Sequence, residues 1–103
     1  MAKILVADAD PDQRGLVVFA LRFAGYQVLE ATRIENADRI LREDHPDLIV
    51  LDETLPGFRQ GEHFQDRKLP VVVITKPVSP DELTHKVTLS LKKSSSRRQT
   101  AHP

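Results

Sequence analysis

Short apolar runs alternate along the chain with stretches in which apolar residues recur every three or four positions. The runs predict strands at residues 3–7, 26–31, 48–52 and 69–75. The third run is unbroken from Leu48 to Leu51 and is followed by a Pro-Gly turn, which is typical of a strand buried on both faces of a parallel sheet. The second run is less apolar, so we expect it at an edge of the sheet.

A helix is predicted between the first two strands. Asp10 is a favoured N-cap, and Pro11 follows at the first helical position. We expect the apolar stripe at positions i, i+3, i+4 and i+7 to face the core; it comprises Leu16, Phe19, Ala20 and Phe23. Gly25 then ends the helix, because a left-handed C-cap favours glycine.

The second helix carries a more modest apolar stripe and ends at His45-Pro46. Its stripe comprises Ile34, Ala37, Ile40 and Leu41. Residues 58–68 are polar and predict a third helix of about two turns at most.

The last helix begins with a capping box from Ser79 to Glu82. Its predicted buried face comprises Leu83, Val87 and Leu91. The chain is polar from Lys92 onward, so we assign residues 1–92 to one domain and expect residues 93–103 to form a flexible tail. Alternating strands and helices predict an α/β fold, with helices on both faces of a parallel sheet in a three-layer sandwich.

Composition narrows the class of function. Fifteen basic and fifteen acidic residues cancel, so no net field favours nucleic acid or a membrane. The chain has no cysteine, and its four histidines are scattered without metal-ligand spacing. Its apolar runs are too short to span a bilayer, and we expect a cytoplasmic protein. A flavin or nucleotide binder is disfavoured, because the four glycines do not form a phosphate-binding loop.

Asp52 is the first candidate for chemistry. It ends the buried third strand, and ligands of open α/β sheets bind at the carboxyl ends of strands. Asp is also common as a residue that caps a turn. From this segment alone, both interpretations stay open.

Four segments together resemble the receiver domain of bacterial two-component response regulators, a flavodoxin-like fold with strand order 2-1-3-4-5. They are, in chain order, KILVADADPD at 3–12, PDLIVLDETLPG at 46–57, LPVVVIT at 69–75 and KPVSPDEL at 76–83. The resemblance covers roughly residues 3 to 92. It implies that Asp52 accepts a phosphoryl group, that Asp8, Asp52 and the Thr54 carbonyl hold Mg²⁺, and that Thr75 and Lys76 contact the phosphate. It also implies a cis peptide bond between Lys76 and Pro77.

Two departures from the family pattern change these expectations. Ala9 stands where the family has a second acidic ligand, so we expect weak binding of Mg²⁺; Asp10 is a candidate substitute that is also needed as the N-cap. Thr75 and Lys76 are adjacent, which leaves no room for the family's fourth helix and fifth strand, so we expect four strands in the order 2-1-3-4. Neighbouring strand residues point to opposite faces, so only one of this pair can approach Asp52. We favour Lys76, because Thr75 is explained as a β-forming residue at a strand end.

Two functional hypotheses follow from the resemblance. In the first, Asp52 takes a phosphoryl group from a histidine kinase or phosphotransfer protein, and an output protein of unknown identity responds. In the second, the domain is a pseudo-receiver that acts by binding proteins without phosphorylation. Neither is an enzyme beyond its own phosphoryl transfer, and any effect on transcription would be indirect.

We also expect two structural features, an acidic pocket and an exposed sheet edge. Asp8 and Asp52 should form an acidic pocket in which repulsion raises at least one pKa. Loss of a fifth strand should leave the fourth as an uncharged edge, residues 71–74. A homodimer through that edge, or exchange of the last helix, would cover it; the alternative is a monomer in which a helix shifts over the gap.

Overall fold

The computed structural model describes residues 1–57 and 69–100, with backbone alone from residue 95. We number the elements in chain order within these residues. They are β1 (Lys3–Ala7), α1 (Pro11–Phe23), β2 (Gln27–Ala31), α2 (Ile34–Asp44), β3 (Leu48–Asp52), β4 (Val71–Ile74) and α3 (Pro80–Thr100). The strands are parallel and form one sheet in the order β2-β1-β3-β4, which confirms the predicted α/β fold and the edge position of β2. Residues 58–68, where a short helix is predicted, lie outside the described residues.

The strand β3 lies inside the sheet and is buried on both faces. Leu48 and Val50 pack into a cluster with residues of α1 and α3, whereas Ile49 and Leu51 pack into a second cluster with residues of α2. Every residue of β3 is buried. An unbroken apolar run is therefore explained by two apolar environments, as expected for an inner strand of a parallel sheet.

The helix α1 begins and ends where the sequence predicts. The Asp10 side chain accepts hydrogen bonds from the backbone N–H groups of Asp12 and Gln13. At the other end Gly25 has φ +97°, and the N–H groups of Gly25 and Tyr26 donate to the carbonyls of Arg22 and Leu21. This pair of bonds forms a Schellman motif, which explains the glycine.

The predicted buried face of α1 is wrong. Three of its residues point into solvent: Leu16 is 46% exposed, Phe19 69% and Phe23 85%. We call these three residues the outer face. The inner face, which packs on the sheet, comprises Gln13, Val17, Val18 and Leu21. Residues 16–21 are all apolar, so hydrophobic spacing alone allows both rotations of the helix.

The helix α2 follows the prediction closely. Ile34, Ala37 and Leu41 are buried, and Ile40 is partly buried against the same cluster. The helix ends at His45, which adopts a left-handed conformation with φ 50°.

The strand β4 is shorter than the predicted run, and α3 is longer than the predicted helix. Ser79 caps α3, because its Oγ accepts from the Glu82 N–H at 3.4 Å and its carbonyl accepts from the Leu83 N–H at 2.9 Å. Leu83 and Val87 are buried as predicted, and Leu91 is partly buried. The backbone stays helical to Thr100, beyond the predicted domain end at residue 92, because this segment contains neither Gly nor Pro. That the tail is flexible stays a prediction.

Within the described residues, no helix combines the length and the apolar character needed to cross a membrane.

Candidate functional site

Two carboxyl groups lie at the carboxyl ends of the adjacent inner strands β1 and β3. Ala7 is paired with Leu51 in the sheet, so Asp8 and Asp52 follow at the same edge. Asp8 is fully buried and Asp52 is 1% exposed. Among the described residues, only Gln13 joins them as a buried polar or charged side chain. The buried polar side chains of the described residues thus lie together at the carboxyl ends of β1 and β3.

The pKa of Asp8 is raised. The main cause is burial, which penalises the charged carboxylate, and the nearby Asp52 carboxyl adds to it. Two hydrogen bonds partly oppose this shift: the Asp10 N–H donates to Asp8 Oδ1 at 2.9 Å, and Gln13 Nε2 donates to Oδ2 at 2.7 Å. The pKa of Asp8 is raised in the predicted direction, although burial contributes more than the predicted repulsion from Asp52.

Gln13 is a site residue that the sequence analysis missed. Its side chain is buried on the inner face of α1 and contacts Asp8 directly. Gln13, Val17 and Leu21 follow one another at intervals of four, so a polar residue in line with the inner face was the available signal. Because the outer face was predicted to be buried, Gln13 was not recognised as a buried residue.

Thr54 holds the Asp52 carboxylate in place. Its backbone N–H donates to Asp52 Oδ1 at 3.2 Å, and its hydroxyl donates to Oδ2 at 2.8 Å. These are the local bonds of a turn-capping aspartate. The two interpretations of Asp52 are therefore compatible, because the residue caps a turn and also lies in the acidic pocket. From the sequence, only the Thr54 carbonyl was expected to contribute to the site; the role of its hydroxyl was not predicted.

Lys76 reaches toward the site but pairs with Asp10. Its Nζ donates to Asp10 Oδ2 in an ion pair whose side chains are 48% and 32% exposed. The pKa of Lys76 is raised chiefly by its hydrogen bond to Asp10, with smaller contributions from Asp52 and Asp8; the pKa of Asp10 is lowered by Lys76. The ammonium group thus lies within the field of the acidic pocket. The peptide bond between Lys76 and Pro77 is cis, as the resemblance implies.

Thr75 lies in different surroundings from Lys76. It is exposed and lines a cavity of about 80 Å³ beside the start of α3, together with Ser79 and Lys86. The adjacent residues Thr75 and Lys76 thus have different neighbours. That only one of them can approach Asp52 stays a prediction.

The oxygen donors for a cation are few. Ala9 is exposed and brings no ligand, and Asp10 is engaged by Lys76 and by the first turn of α1. Over residues 1–57 and 69–100, no three His, Asp or Glu side chains are grouped so that they could hold a metal ion. Among the described residues, Asp8 and Asp52 are the buried carboxyl groups at this edge of the sheet.

The family model of the response regulator receiver domain matches residues 4–82, which include Asp8, Asp52, Thr54 and Lys76. The chain belongs to this family. Receiver domains are signalling domains whose general role is to accept a phosphoryl group from a histidine kinase on an aspartate, and they generally bind Mg²⁺ at an acidic pocket.

Individual relatives of this receiver domain are distant. It is 29% identical over 118 aligned residues to the phosphate regulon transcriptional regulatory protein PhoB of Pseudomonas aeruginosa, covering 87% of this chain and 52% of PhoB. It is 29% identical to the protein PilH of the same organism, covering 84% of this chain and 75% of PilH. The chain therefore spans about half the length of PhoB.

Solved structures agree with this assignment. A crystal structure of NtrX from Brucella abortus superposes with a TM-score of 0.85 at 26% identity, covering 98% of this chain and 29% of NtrX. Nearly all of the chain thus has a counterpart in one part of a larger chain.

Proposed function

We propose that this receiver domain accepts a phosphoryl group on Asp52 from a histidine kinase or phosphotransfer protein. In this step an Asp52 carboxylate oxygen attacks phosphorus, a P–O bond forms, and the P–N bond of the donor phosphohistidine breaks. The bonding electrons stay on the imidazole nitrogen, which takes up a proton. The domain catalyses only this transfer to itself, so it is a substrate of its partner and a signal carrier.

The observation that carries this proposal is the environment of Asp52. Its carboxylate is fixed by Thr54 at the end of an inner strand, beside Asp8 and within the field of the Lys76 ammonium group. A nucleophile held in one orientation avoids the entropic cost of finding it. A mobile cation close by can neutralise charge that develops on the phosphoryl oxygens. Thr75 is a weaker candidate for a phosphate contact, since it lies beside α3.

Acetyl phosphate offers a direct test, because it replaces the kinase. Asp52 attack then breaks a P–O bond and releases acetate. We expect intact-mass measurement in the presence of Mg²⁺ to show one added phosphoryl group, which Asp52→Asn abolishes. Glu53→Gln removes an exposed carboxylate next in the chain and should still be phosphorylated. A wild-type chain that gains no mass, or one that gains it equally in Asp52→Asn, would overturn the proposal.

We further propose that Mg²⁺ binds weakly, held by Asp8, Asp52 and the Thr54 carbonyl. Mg²⁺ commonly keeps several waters and uses one or two carboxylates, so this donor set fits a loosely held ion. When bound, the ion supplies positive charge to the phosphoryl oxygens. Ala9→Asp adds a carboxylate beside Asp8 and should increase Mg²⁺ affinity by roughly tenfold or more. Titration of both proteins, with Asp12→Asn as a charge control, measures it; equal affinities would mean that another oxygen already fills the place.

The second candidate function is a pseudo-receiver that binds its partners without phosphorylation. The observation in its favour is that both Asp52 oxygens are engaged by Thr54 and that the side chain is almost fully buried, while Ala9 contributes no metal ligand. A partner that binds Asp52→Asn as tightly as wild type, under phosphorylating conditions, would favour this function. The output protein stays unidentified in both cases, and direct binding of nucleic acid is not proposed.

We also propose that two chains associate through β4. In the described sheet β4 pairs with β3 on one side, and alternate residues direct their backbone groups to the other side. Val73 is 42% exposed, and the strand carries no charge or proline that would oppose pairing. A second copy fits this edge, because antiparallel pairing of two identical strands creates a closed two-fold contact.

Sedimentation equilibrium tests the association. Val73→Lys should turn a dimer into a folded monomer, whereas Lys86→Ala, at an exposed position of α3, should leave the dimer intact. A wild-type monomer at high micromolar concentration would overturn this part of the proposal.

A further inference from the structure

We propose that Arg14 is a positioning residue for the acidic pocket: its guanidinium group links the end of β2 to the Asp8 main chain and so fixes the Asp8 carboxylate beside Asp52. This inference rests on the proposed function, in which Asp8 and Asp52 hold Mg²⁺ and Asp52 accepts the phosphoryl group. It assigns a role at this site to two residues outside the pocket, Arg14 and Glu30.

Arg14 contacts two different elements of the fold through separate nitrogen atoms. Its Nη1 donates to the backbone carbonyl of Asp8 at 3.0 Å, and its Nε donates to Glu30 Oε1 at 3.2 Å. Glu30 precedes Ala31 in β2, and the Ala31 carbonyl accepts the Asp8 N–H at 2.9 Å. Both main-chain groups of Asp8 are therefore connected to β2, the N–H directly and the carbonyl through Arg14.

The first turn of α1 holds the Asp8 side chain as well. Gln13 Nε2 donates to Asp8 Oδ2 at 2.7 Å, and Arg14 is the next residue in the helix. The Arg14 N–H donates to the Asp10 carbonyl at 2.8 Å, so the guanidinium group extends from an ordered helical turn. Consecutive residues of α1 thus bind the carboxylate and the carbonyl of one aspartate, which restricts its rotation away from Asp52.

The exposure of this link favours a positioning role over a stabilising one. The Arg14 and Glu30 side chains are 19% and 43% exposed, and ion pairs near the surface contribute little to stability. The link ends on Asp8, and a metal ligand is oriented by the groups that hold it. Arginine suits this task because its planar group donates in two directions at once, whereas the ammonium group of lysine is a compact point charge.

An edge strand without a residue in the pocket therefore influences the pocket. Loss of the guanidinium group leaves the Asp8 carbonyl without its donor from α1, so the Asp8 carboxylate can adopt positions in which it does not share a cation with Asp52. We expect Mg²⁺ to bind more weakly and phosphorylation to require more Mg²⁺. The rate at saturating Mg²⁺ should change little, because Arg14 acts on Asp8 and not on the nucleophile.

The first experiment is a titration of the unphosphorylated chain with Mg²⁺, followed by its amide NMR signals. Arg14→Met removes the guanidinium group, and we expect Mg²⁺ affinity to fall about tenfold, as when a group that orients a metal ligand is removed. Glu30→Gln weakens only the ion pair and should cost about two- to fivefold. The control is Arg22→Met, which removes an exposed arginine from the last turn of α1 and should bind Mg²⁺ like wild type.

Two further variants separate positioning from charge and from folding. Arg14→Lys keeps the positive charge without the two-directional donor, so it should recover only part of the affinity. In an Asp8→Asn background, Arg14→Met should cause no further loss, because the carboxylate that it positions is absent. A merely structural role of Arg14 would lower the urea midpoint of unfolding and leave the Mg²⁺ affinity of the folded chain unchanged.

The second experiment needs neither Mg²⁺ nor phosphate. The carbonyl ¹³C signal of Asp8 should shift in Arg14→Met, which removes its hydrogen-bond donor, and stay in place in Arg22→Met. The same variants are then phosphorylated with acetyl phosphate. Arg14→Met should raise the Mg²⁺ concentration for half-maximal rate about tenfold and leave the rate at saturating Mg²⁺ within about twofold of wild type.

The outcomes separate this inference from the function on which it rests. If Arg14→Met binds Mg²⁺ as tightly as Arg22→Met, or if Arg14→Lys recovers the full affinity, the positioning role is overturned and the phosphoacceptor role of Asp52 stands. A wild type that takes up phosphate without binding Mg²⁺ also overturns the inference alone. A wild type that binds Mg²⁺, with the expected loss in Arg14→Met, but takes up no phosphate supports the positioning role and overturns the proposed phosphorylation.

Discussion

The two faces of α1 differ in a way that hydrophobicity alone does not explain. The inner face packs a polar residue, Gln13, beside two valines and a leucine, whereas the outer face exposes Leu16 and two phenylalanines. The rings of Phe19 and Phe23 stack on each other with centroids 6.2 Å apart and remain in solvent. The larger apolar side chains thus lie outside.

Polar contacts at the N-terminus of α1 contribute to the rotation of the helix about its axis. Asp10 fixes the first turn, and Gln13 then has to reach Asp8 at the end of β1. Because a helix is rigid over a few turns, that one contact determines which later residues meet the sheet. The smaller β-branched side chains of Val17 and Val18 fill the space between helix and strands. The functional site therefore contributes to the rotation of the helix that packs above it.

The largest expected effect comes from a matched pair of leucines on the two faces. Leu21→Ala removes a fully buried side chain from the inner face, and we expect the free energy of unfolding to fall by about 2–5 kcal/mol. Leu16→Ala makes the same change on the outer face, where we expect about 0.5 kcal/mol or less. Urea unfolding followed by circular dichroism measures both. Equal losses would mean that the outer face is covered in solution.

Gln13→Ala tests the polar contact that orients α1. The change leaves a buried Asp8 oxygen without its donor, so we expect a loss of about 1–3 kcal/mol in the free energy of unfolding. Gln27→Ala is the matched control, because Gln27 is exposed at the start of the edge strand β2 and should cost much less. If the two variants unfold at the same urea concentration, Gln13 does not anchor the helix.

A smaller and pH-dependent effect is expected from the carboxylates near α1. The pKa of Asp8 is raised in the folded chain above its ordinary 3.8, so the folded state holds its proton longer than the unfolded state does. Stability contributed by Asp8 is then full below pH 3.8 and is lost as pH rises through the folded pKa. Asp10 has a lowered pKa, so its contribution is present above pH 3.8 and is lost as pH falls through its folded pKa.

Single variants test separately the opposite pH dependences of the stability that Asp8 and Asp10 contribute. Relative to wild type, Asp8→Asn should gain stability as pH increases from 4 to 7, whereas Asp10→Asn should gain stability as pH decreases below 4. Urea midpoints across this pH range are the measurement. Two variants whose differences from wild type run parallel with pH would contradict the assigned directions.

Much of the fold could be predicted because several signals agreed at the same residues. The segment Leu48–Asp52 is a short, unbroken apolar run with turn residues on both sides, and it forms one of the two inner strands of the described sheet. Asp10 and Gly25 each have a local reason for their positions, since a cap and a left-handed turn depend on few neighbours. The positions of Asp8 and Asp52 followed from parallel strand pairing, which brings strand ends together.

The features that could not be predicted depend on which of two possible faces or partners is used in the folded chain. The inner face of α1 was hidden because residues 16–21 satisfy two helical stripes. Lys76 was expected to approach Asp52, and the structure adds that its ammonium group is hydrogen-bonded to Asp10, which is the more exposed of the two carboxylates. A sequence gives no distances between groups 66 positions apart, so this choice becomes visible only in the folded chain.

The smallest effect, and one of opposite sign, is expected at Gly15. It lies in α1 next to the outer face, and a Cβ atom added there would meet no described atom within 4 Å apart from its chain neighbours and the backbone of its own helix. Glycine in a helix costs about 0.5–1 kcal/mol relative to alanine, so Gly15→Ala should raise the free energy of unfolding by that amount. Gly25→Ala has equal space but requires φ +97°, which an L side chain rarely adopts, so it should destabilise the domain. Urea unfolding of both variants measures the pair. A destabilising Gly15→Ala would show that another chain or segment packs closely against this side of α1, and that the outer face is an interface.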